Sequence, residues 1–138
     1  MKPIDSARVE AAIRAAERRT SGELRVAFAR FFLGRDVQRA AQRTFARQGM
    51  DRTKLHNAVL IFIAPVGRRC AIVADEGAHA VVDPTFWTSV VEKMVSRFRS
   101  GDLTGGVEAG IQEIGERLAG PFPIAPGDVN ELPDTLVR

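Results

Sequence analysis

The chain switches between two hydrophobic periods, and the switches mark its elements. Between Asp5 and Thr20 the apolar residues Val9, Ala12, Ile13 and Ala16 recur every three or four positions, which lines one face of a helix. Asp5 or Ser6 supplies a capping oxygen, and Gly22 stops the helix after Thr20 and Ser21. From Glu23 to Phe31 the period falls to two, with Leu24, Val26 and Phe28 on one side and Glu23, Arg25, Ala27 and Ala29 on the other. That alternation predicts a strand. Asp36 then caps a second helix carrying Val37, Ala40, Ala41, Thr44 and Phe45 inward and ending near Gly49.

Two apolar runs follow, AVLIFIA at residues 58–64 and CAIVA at residues 70–74, joined by a link of hairpin length. The first run is apolar on both faces, which predicts a central strand. Asp83 before Pro84 starts a third long helix, since the acid accepts from first-turn amides and proline loses no donor in the first helical position. Phe86, Trp87, Val90, Val91, Met94, Val95 and Phe98 form its buried stripe up to Ser100 and Gly101. A last helix starts at Asp102, buries Val107, Ile111, Ile114 and Leu118, and ends at Gly120 and Pro121. Four prolines and no period in residues 121–138 predict an extended tail. The prediction is one α/β domain over residues 1–120 followed by that tail.

Topology places the polar residues. A strand, helix, strand crossover is right-handed and parallel, whereas a hairpin makes the next strand antiparallel. The starts of the first two strands and the end of the third therefore share one sheet edge, which collects Glu23, His56, Asn57, Asp75, Glu76 and the neighbourhood of His79. Arg35, Arg68 and Arg69 collect at the opposite edge. The formal charge of +3 hides a similar asymmetry along the chain: residues 1–56 hold 13 Lys and Arg against 6 Asp and Glu, net +7, and residues 57–138 hold 7 against 11, net −4. Such polarity speaks about partners.

Other features restrict the classes of function. The apolar stretch from Ala58 to Val66 is too short to cross a bilayer, and the charged, amphipathic start MKPIDSARVEAAI does not read as a signal sequence. The expected location is the cytoplasm. Cys70 is the only cysteine, which excludes an internal disulfide and a cysteine metal site and predicts a buried thiol. No GxGxxG, GxxxxGK[ST], HExxH or GxSxG occurs, which argues against a nucleotide-driven enzyme and a serine hydrolase.

At the acidic edge, oxygen ligands without thiolate suit a hard cation, Ca²⁺ or Mg²⁺. A crowded carboxylate pair could instead do acid and base work. The plainer alternative makes Asp75 and Glu76 a solvated turn and Asp83 and Asp102 caps, with Glu23 paired to Arg25 or a neighbour. Arg35, Arg39, Arg43 and Arg47 recur every four residues and lie on one helix face. That ladder suits a solvated face, an acidic protein or lipid surface, or nucleic acid, and nucleic acid is least favoured because no aromatic platform or RNA signature accompanies it.

The stretches TSGELRV (Thr20 to Val26), NAVLIFI (Asn57 to Ile63), DEG (Asp75 to Gly77), Phe86 with Trp87, and NELPD (Asn130 to Asp134) together resemble the TPM domain family, in particular small bacterial single-domain members. The resemblance implies a three-layer α/β/α sandwich with a small mixed central sheet. It implies an acidic cluster on Glu23, Asp75 and Glu76, with Asn57 and Asp83 beside it. Relatives are described as acid phosphatases, as calcium binders and as auxiliary factors of membrane complexes. Two positions depart from the commoner form, Ala58 and Ala74 standing where glycine is usual, and each adds a methyl near the proposed pocket.

The expectation is therefore a TPM-like module that binds a divalent cation, Ca²⁺ or Mg²⁺, at Glu23, Asp75, Glu76, Asn57 and Asp83. It docks on a protein or membrane-associated complex and lies in the cytoplasm or peripherally at the inner membrane. One alternative is a weak, metal-assisted acid phosphatase acting on phosphate monoesters, with Asp75 and Glu76 as candidate catalytic carboxylates. Another is a binder of anionic surfaces or nucleic acid through Arg35, Arg39, Arg43 and Arg47, together with Arg68 and Arg69.

Overall fold

The computed structural model describes residues 2–124, so the NELPD stretch lies outside the described residues. In chain order the elements are α1 (Ser6–Glu17), β1 (Leu24–Phe28), α2 (Val37–Arg47), a 3-10 turn (Met50–Arg52), β2 (Val59–Ala64), β3 (Arg69–Ala74), α3 (Glu76–Val81), α4 (Pro84–Arg99) and α5 (Leu103–Ala119). The three strands form one sheet in the order β1-β2-β3. β1 runs parallel to β2, with Val26 opposite Ile61, and β3 runs antiparallel, with Ile72 opposite Ile61. This is the mixed sheet the connection lengths require.

Alternation along the strands builds two cores, one on each face. Leu24, Val26, Phe28, Val59, Ile61, Ile63, Cys70 and Ile72 pack with the buried stripes of α1, α4 and α5. Ala27, Leu60, Phe62, Ala64 and Ala71 pack with Ala41 and Phe45 of α2 and with Met50. The layers are thus α1, α4 and α5, then the sheet, then α2: a three-layer α/β/α sandwich. β2 is buried at all six positions, as its unbroken apolar run predicts for a strand covered on both faces. Each fully buried Ile or Leu there contributes about 1.5–3 kcal/mol.

Asp5, Asp36, Asp83 and Asp102 each accept a first-turn amide and cap α1, α2, α4 and α5 in turn. Close approach sets the packing of α5 on α1: a Cβ on Gly115 would lie 2.8 Å from the Cβ of Ala16. Thr20 closes the same end, donating from Oγ1 to the Phe122 carbonyl at 2.6 Å and accepting from the Gly22 amide at 3.0 Å.

Three local features differ from the sequence reading. β1 ends at Phe28 rather than Phe31, because β2, its neighbour in the sheet, ends in register shortly after, and residues 29–36 form a loop. Glu76–Val81 form a short helix, α3, with Asp75 as its cap, where the plainer alternative had a solvated turn at Asp75 and Glu76. The turn Met50–Arg52, entered through the left-handed Gly49 (φ 68°), carries no sequence period to announce it.

Candidate functional site

The chain direction brings the amino ends of β1 and β2 and the carboxyl end of β3 to one pole, and the β1–α2 loop and β2–β3 hairpin to the other. At the first pole the Val59 amide donates to the Glu23 carbonyl at 2.8 Å, and the Asp75 amide donates to the Ala58 carbonyl at 2.9 Å. Glu23, Ala58 and Asp75 therefore form one row across the sheet. Two strand spacings separate the outer pair, about 10 Å between Cα atoms.

Asp75 is occupied on both carboxylate oxygens. Oδ1 accepts from the Glu76 amide at 2.9 Å, and Oδ2 lies 3.2 Å from Nδ1 of His56. His56 holds a left-handed backbone (φ 49°), and its carbonyl accepts from the Ala78 amide at 3.1 Å. α3 is thereby laced to the segment before β2. Gly77 is required by this approach, since a Cβ there would collide with the Leu55 carbonyl oxygen and lie 2.6 Å from that of His56. Glu76 is 81% exposed at its side chain. The sequence placed His56 at this edge but gave it no role; its position two residues before Ala58, in whose row Asp75 lies, was the available signal.

Glu23 is buried, and so is Arg25, which the sequence reading left on an outer strand face. The Arg25 Nη1 donates to Gln48 Oε1 at 2.7 Å. Burial lowers the Arg25 pKa from its ordinary value, and the Glu23 carboxylate opposes that shift. A buried arginine thus shares the acidic end with Glu23, so the division into acidic and basic poles is incomplete. The plainer alternative for Glu23, electrostatic pairing with Arg25, matches this geometry.

Asp83, one of the expected acids, has other work. Asp83 Oδ1 accepts from both the amide and the hydroxyl of Thr85 at 2.9 Å, and these bonds, with Arg117 nearby, hold its carboxyl below the usual range. Asn57 is buried, and its Nδ2 finds no partner among the described residues; the same holds for Arg25 Nε and Thr53 Oγ1. Among the described residues no group of three or more His, Cys, Asp or Glu could hold a metal ion. The Glu23, Asp75 and Glu76 carboxylates are thus not drawn together into one ligand group among the described residues.

The second pole is built differently. Phe32 sits edge-on against Phe62 of β2, with centroids 5.9 Å apart and planes at 89°. Arg69 covers Phe32, its Cζ 5.4 Å from the ring centroid, and donates from Nη1 to the Gly34 carbonyl at 2.6 Å. The residues on either side of Phe32 are left in solvent: Phe31 is 83% exposed and Leu33 75%. Val66 at the hairpin tip is 45% exposed. A groove of about 610 Å³ runs between loop and hairpin, lined among others by Ile4, Phe28, Arg30, Phe31, Val66 and Arg68. Arg30, Arg35 and Arg68 are exposed, and Arg68 donates to the Arg99 carbonyl at 3.1 Å. No ion pair among the described residues engages Arg30, Arg35, Arg68 or Arg69.

The arginine ladder belongs only partly to this pole. Arg35 precedes α2, and Arg39 and Arg43 are exposed along it. Arg47 in the last turn lies about 18 Å along the helix from Arg35 and donates to Thr44 Oγ1 at 3.4 Å. The exposed apolar residues Phe31, Leu33 and Val66 were missed because the sequence reading took Phe31 into the strand and gave loop residues no weight. A run of FFL between strand and helix signals was the clue.

Fold and sheet-end geometry define a three-layer α/β/α domain whose TSGE, Asn57 and DEG residues meet at one end of a mixed sheet. The chain belongs to the TPM domain family, whose profile matches residues 1–117. Among solved structures it is similar to the BA42 protein of the psychrophilic bacterium Bizionia argentinensis, with 34% identity, a TM-score of 0.88, and coverage of 99% of this chain and 95% of that one. The N-terminal domain of a protein from P. gingivalis shares the fold at 19% identity and a TM-score of 0.72, covering 86% of this chain and 78% of that one. The N-terminal domain of cg2496 from Corynebacterium glutamicum does so at 17% identity and a TM-score of 0.63, covering 81% and 70%. No curated protein matches the chain. No helix among the described residues is long and apolar enough to cross a membrane.

Proposed function

We propose that this TPM domain is a docking module that binds a polyanionic surface through its arginine-rich pole. The observation that carries the reading is the grouping of Arg30, Arg35, Arg68 and Arg69 at one sheet end without a carboxylate partner among the described residues. Arginines left unpaired in one place keep their field for a partner. Arg69 is held by a carbonyl and an aromatic ring, contacts that fix the guanidinium without cancelling its charge. The opposite end supports the same reading by what it lacks for catalysis. Asp75 has a hydrogen-bond contact on each oxygen and its side chain is only 13% exposed, so little of the carboxylate is open to a substrate.

Amide-shift mapping with a short heparin oligosaccharide tests the proposal. Shifts should concentrate at Arg30 to Arg39 and Val66 to Arg69, and the affinity should fall steeply with salt. Shifts spread evenly over all exposed arginines, including Arg14 and Arg18, would refute it.

A further inference from the structure

The arginine pole also presents apolar side chains that a purely electrostatic contact would not use. Phe31 and Leu33 are 83% and 75% exposed on a loop, and Val66 is 45% exposed on the adjoining hairpin. Large apolar groups left this open on a folded domain mark a place where something apolar is met. The loop is not loose around them. Phe32 is seated against Phe62 and under Arg69, and Gly34 is tied to Arg69, so the loop is anchored between its two exposed members. The result is a fixed apolar tip with a groove behind it and exposed arginines around it.

Resting on the docking reading, we propose that the polyanionic surface is an anionic lipid bilayer, and that Phe31, Leu33 and Val66 insert at its interface while Arg30, Arg35 and Arg68 meet the headgroups. Three observations favour a bilayer over an acidic protein. The apolar residues project from loop tips, which suits shallow burial below headgroups. Their neighbours are arginines, whose charge is satisfied by lipid phosphates at the depth where their stems are buried. The carboxylates at this pole, Asp5, Asp36 and Asp102, are each drawn to a helix amino end by a capping bond, and Asp102 also faces Arg97 at 3.6 Å. Apolar insertion and headgroup attraction are separately weak and act together at an interface.

The test is co-sedimentation of the full chain with vesicles of neutral phosphatidylcholine alone and with added phosphatidylglycerol. Native protein should sediment with the anionic vesicles only, and Phe31→Ser with Leu33→Ser should weaken partitioning at least tenfold without any change of charge. Each exposed arginine removed should cost about fivefold. Because both apolar residues are in solvent, the double variant should keep its fold, which an unchanged amide spectrum checks. As an independent readout, Phe31→Trp should move its emission to the blue on anionic vesicles. Equal binding by the native chain and the double variant overturns insertion while leaving docking in place. Absence of vesicle binding alongside intact heparin-oligosaccharide binding overturns the bilayer as partner. Failure of both probes removes the docking reading as well.

Discussion

Arg69 lies over the ring of Phe32, 5.4 Å from its centroid, and hydrogen-bonds the carbonyl two residues further along the loop. That pairing joins the start of β3 to the β1–α2 loop. It seats one of three consecutive large apolar residues inward and leaves the other two outside.

Phe32 is therefore the anchor of the exposed tip. Phe32→Ala should destabilise the domain by about 2 kcal/mol, less than a fully buried phenylalanine costs, whereas Phe31→Ala should stay within about 0.5 kcal/mol. Urea midpoints of the two variants check the contrast. Equal midpoints would mean that the loop is not pinned as described.

Gly77 makes a separate prediction at the opposite pole. A methyl there meets backbone oxygens of Leu55 and His56, which cannot rotate away as a flexible side chain would. Gly77→Ala should cost about 2–3 kcal/mol, measured as a loss in denaturant midpoint. A neutral result would show that α3 sits further from the β2 approach.

Asp75 caps α3 and holds His56. Asp75→Ala should cost about 1–2 kcal/mol, and Asp75→Asn, which keeps a capping oxygen, less than half of that. Equal losses in the two variants would show that the negative charge, rather than the cap, is what the fold uses.

Cys70 is buried, and burial pushes its thiol from 9.0 up to about 12. Between those values the unfolded chain has released the proton and the native chain has kept it, so stability falls as pH rises above 9 and is unaffected below it. The slope approaches about 1.4 kcal/mol per pH unit. Comparing urea midpoints of the native chain and Cys70→Ala at pH 8 and 10.5 isolates it. A difference between the two proteins that does not change with pH would contradict the burial argument.

The sheet was legible because both of its signals are local: the two-residue alternation of Leu24, Val26 and Phe28, and the unbroken run from Val59 to Ala64. Loop lengths then fixed the parallel and antiparallel pairings. The caps at Asp36, Asp83 and Asp102 could be read because a capping oxygen acts within three residues of its own position, while α1 was left to Asp5 or Ser6 and the cap at Asp75 was not foreseen. The contents of the poles were less legible because they depend on contacts distant in sequence. Nothing local tells whether Arg25 faces water or the closing turn at Met50, and Gln48 is 23 positions away. The pairing of His56 with Asp75 spans 19 positions, and the exposure of Phe31 depends on where β2 stops.

The most direct test of the docking claim compares two variants of equal net charge on anionic vesicles, Arg30→Gln with Arg35→Gln and Arg14→Gln with Arg18→Gln. The first pair lies at the proposed pole and the second on α1 and its carboxyl-terminal cap, and all four side chains are exposed. The account predicts about a 25-fold loss of partitioning for the first pair and less than a twofold change for the second. Equal losses in both would show that the chain adsorbs by its overall charge, and would contradict a docking pole.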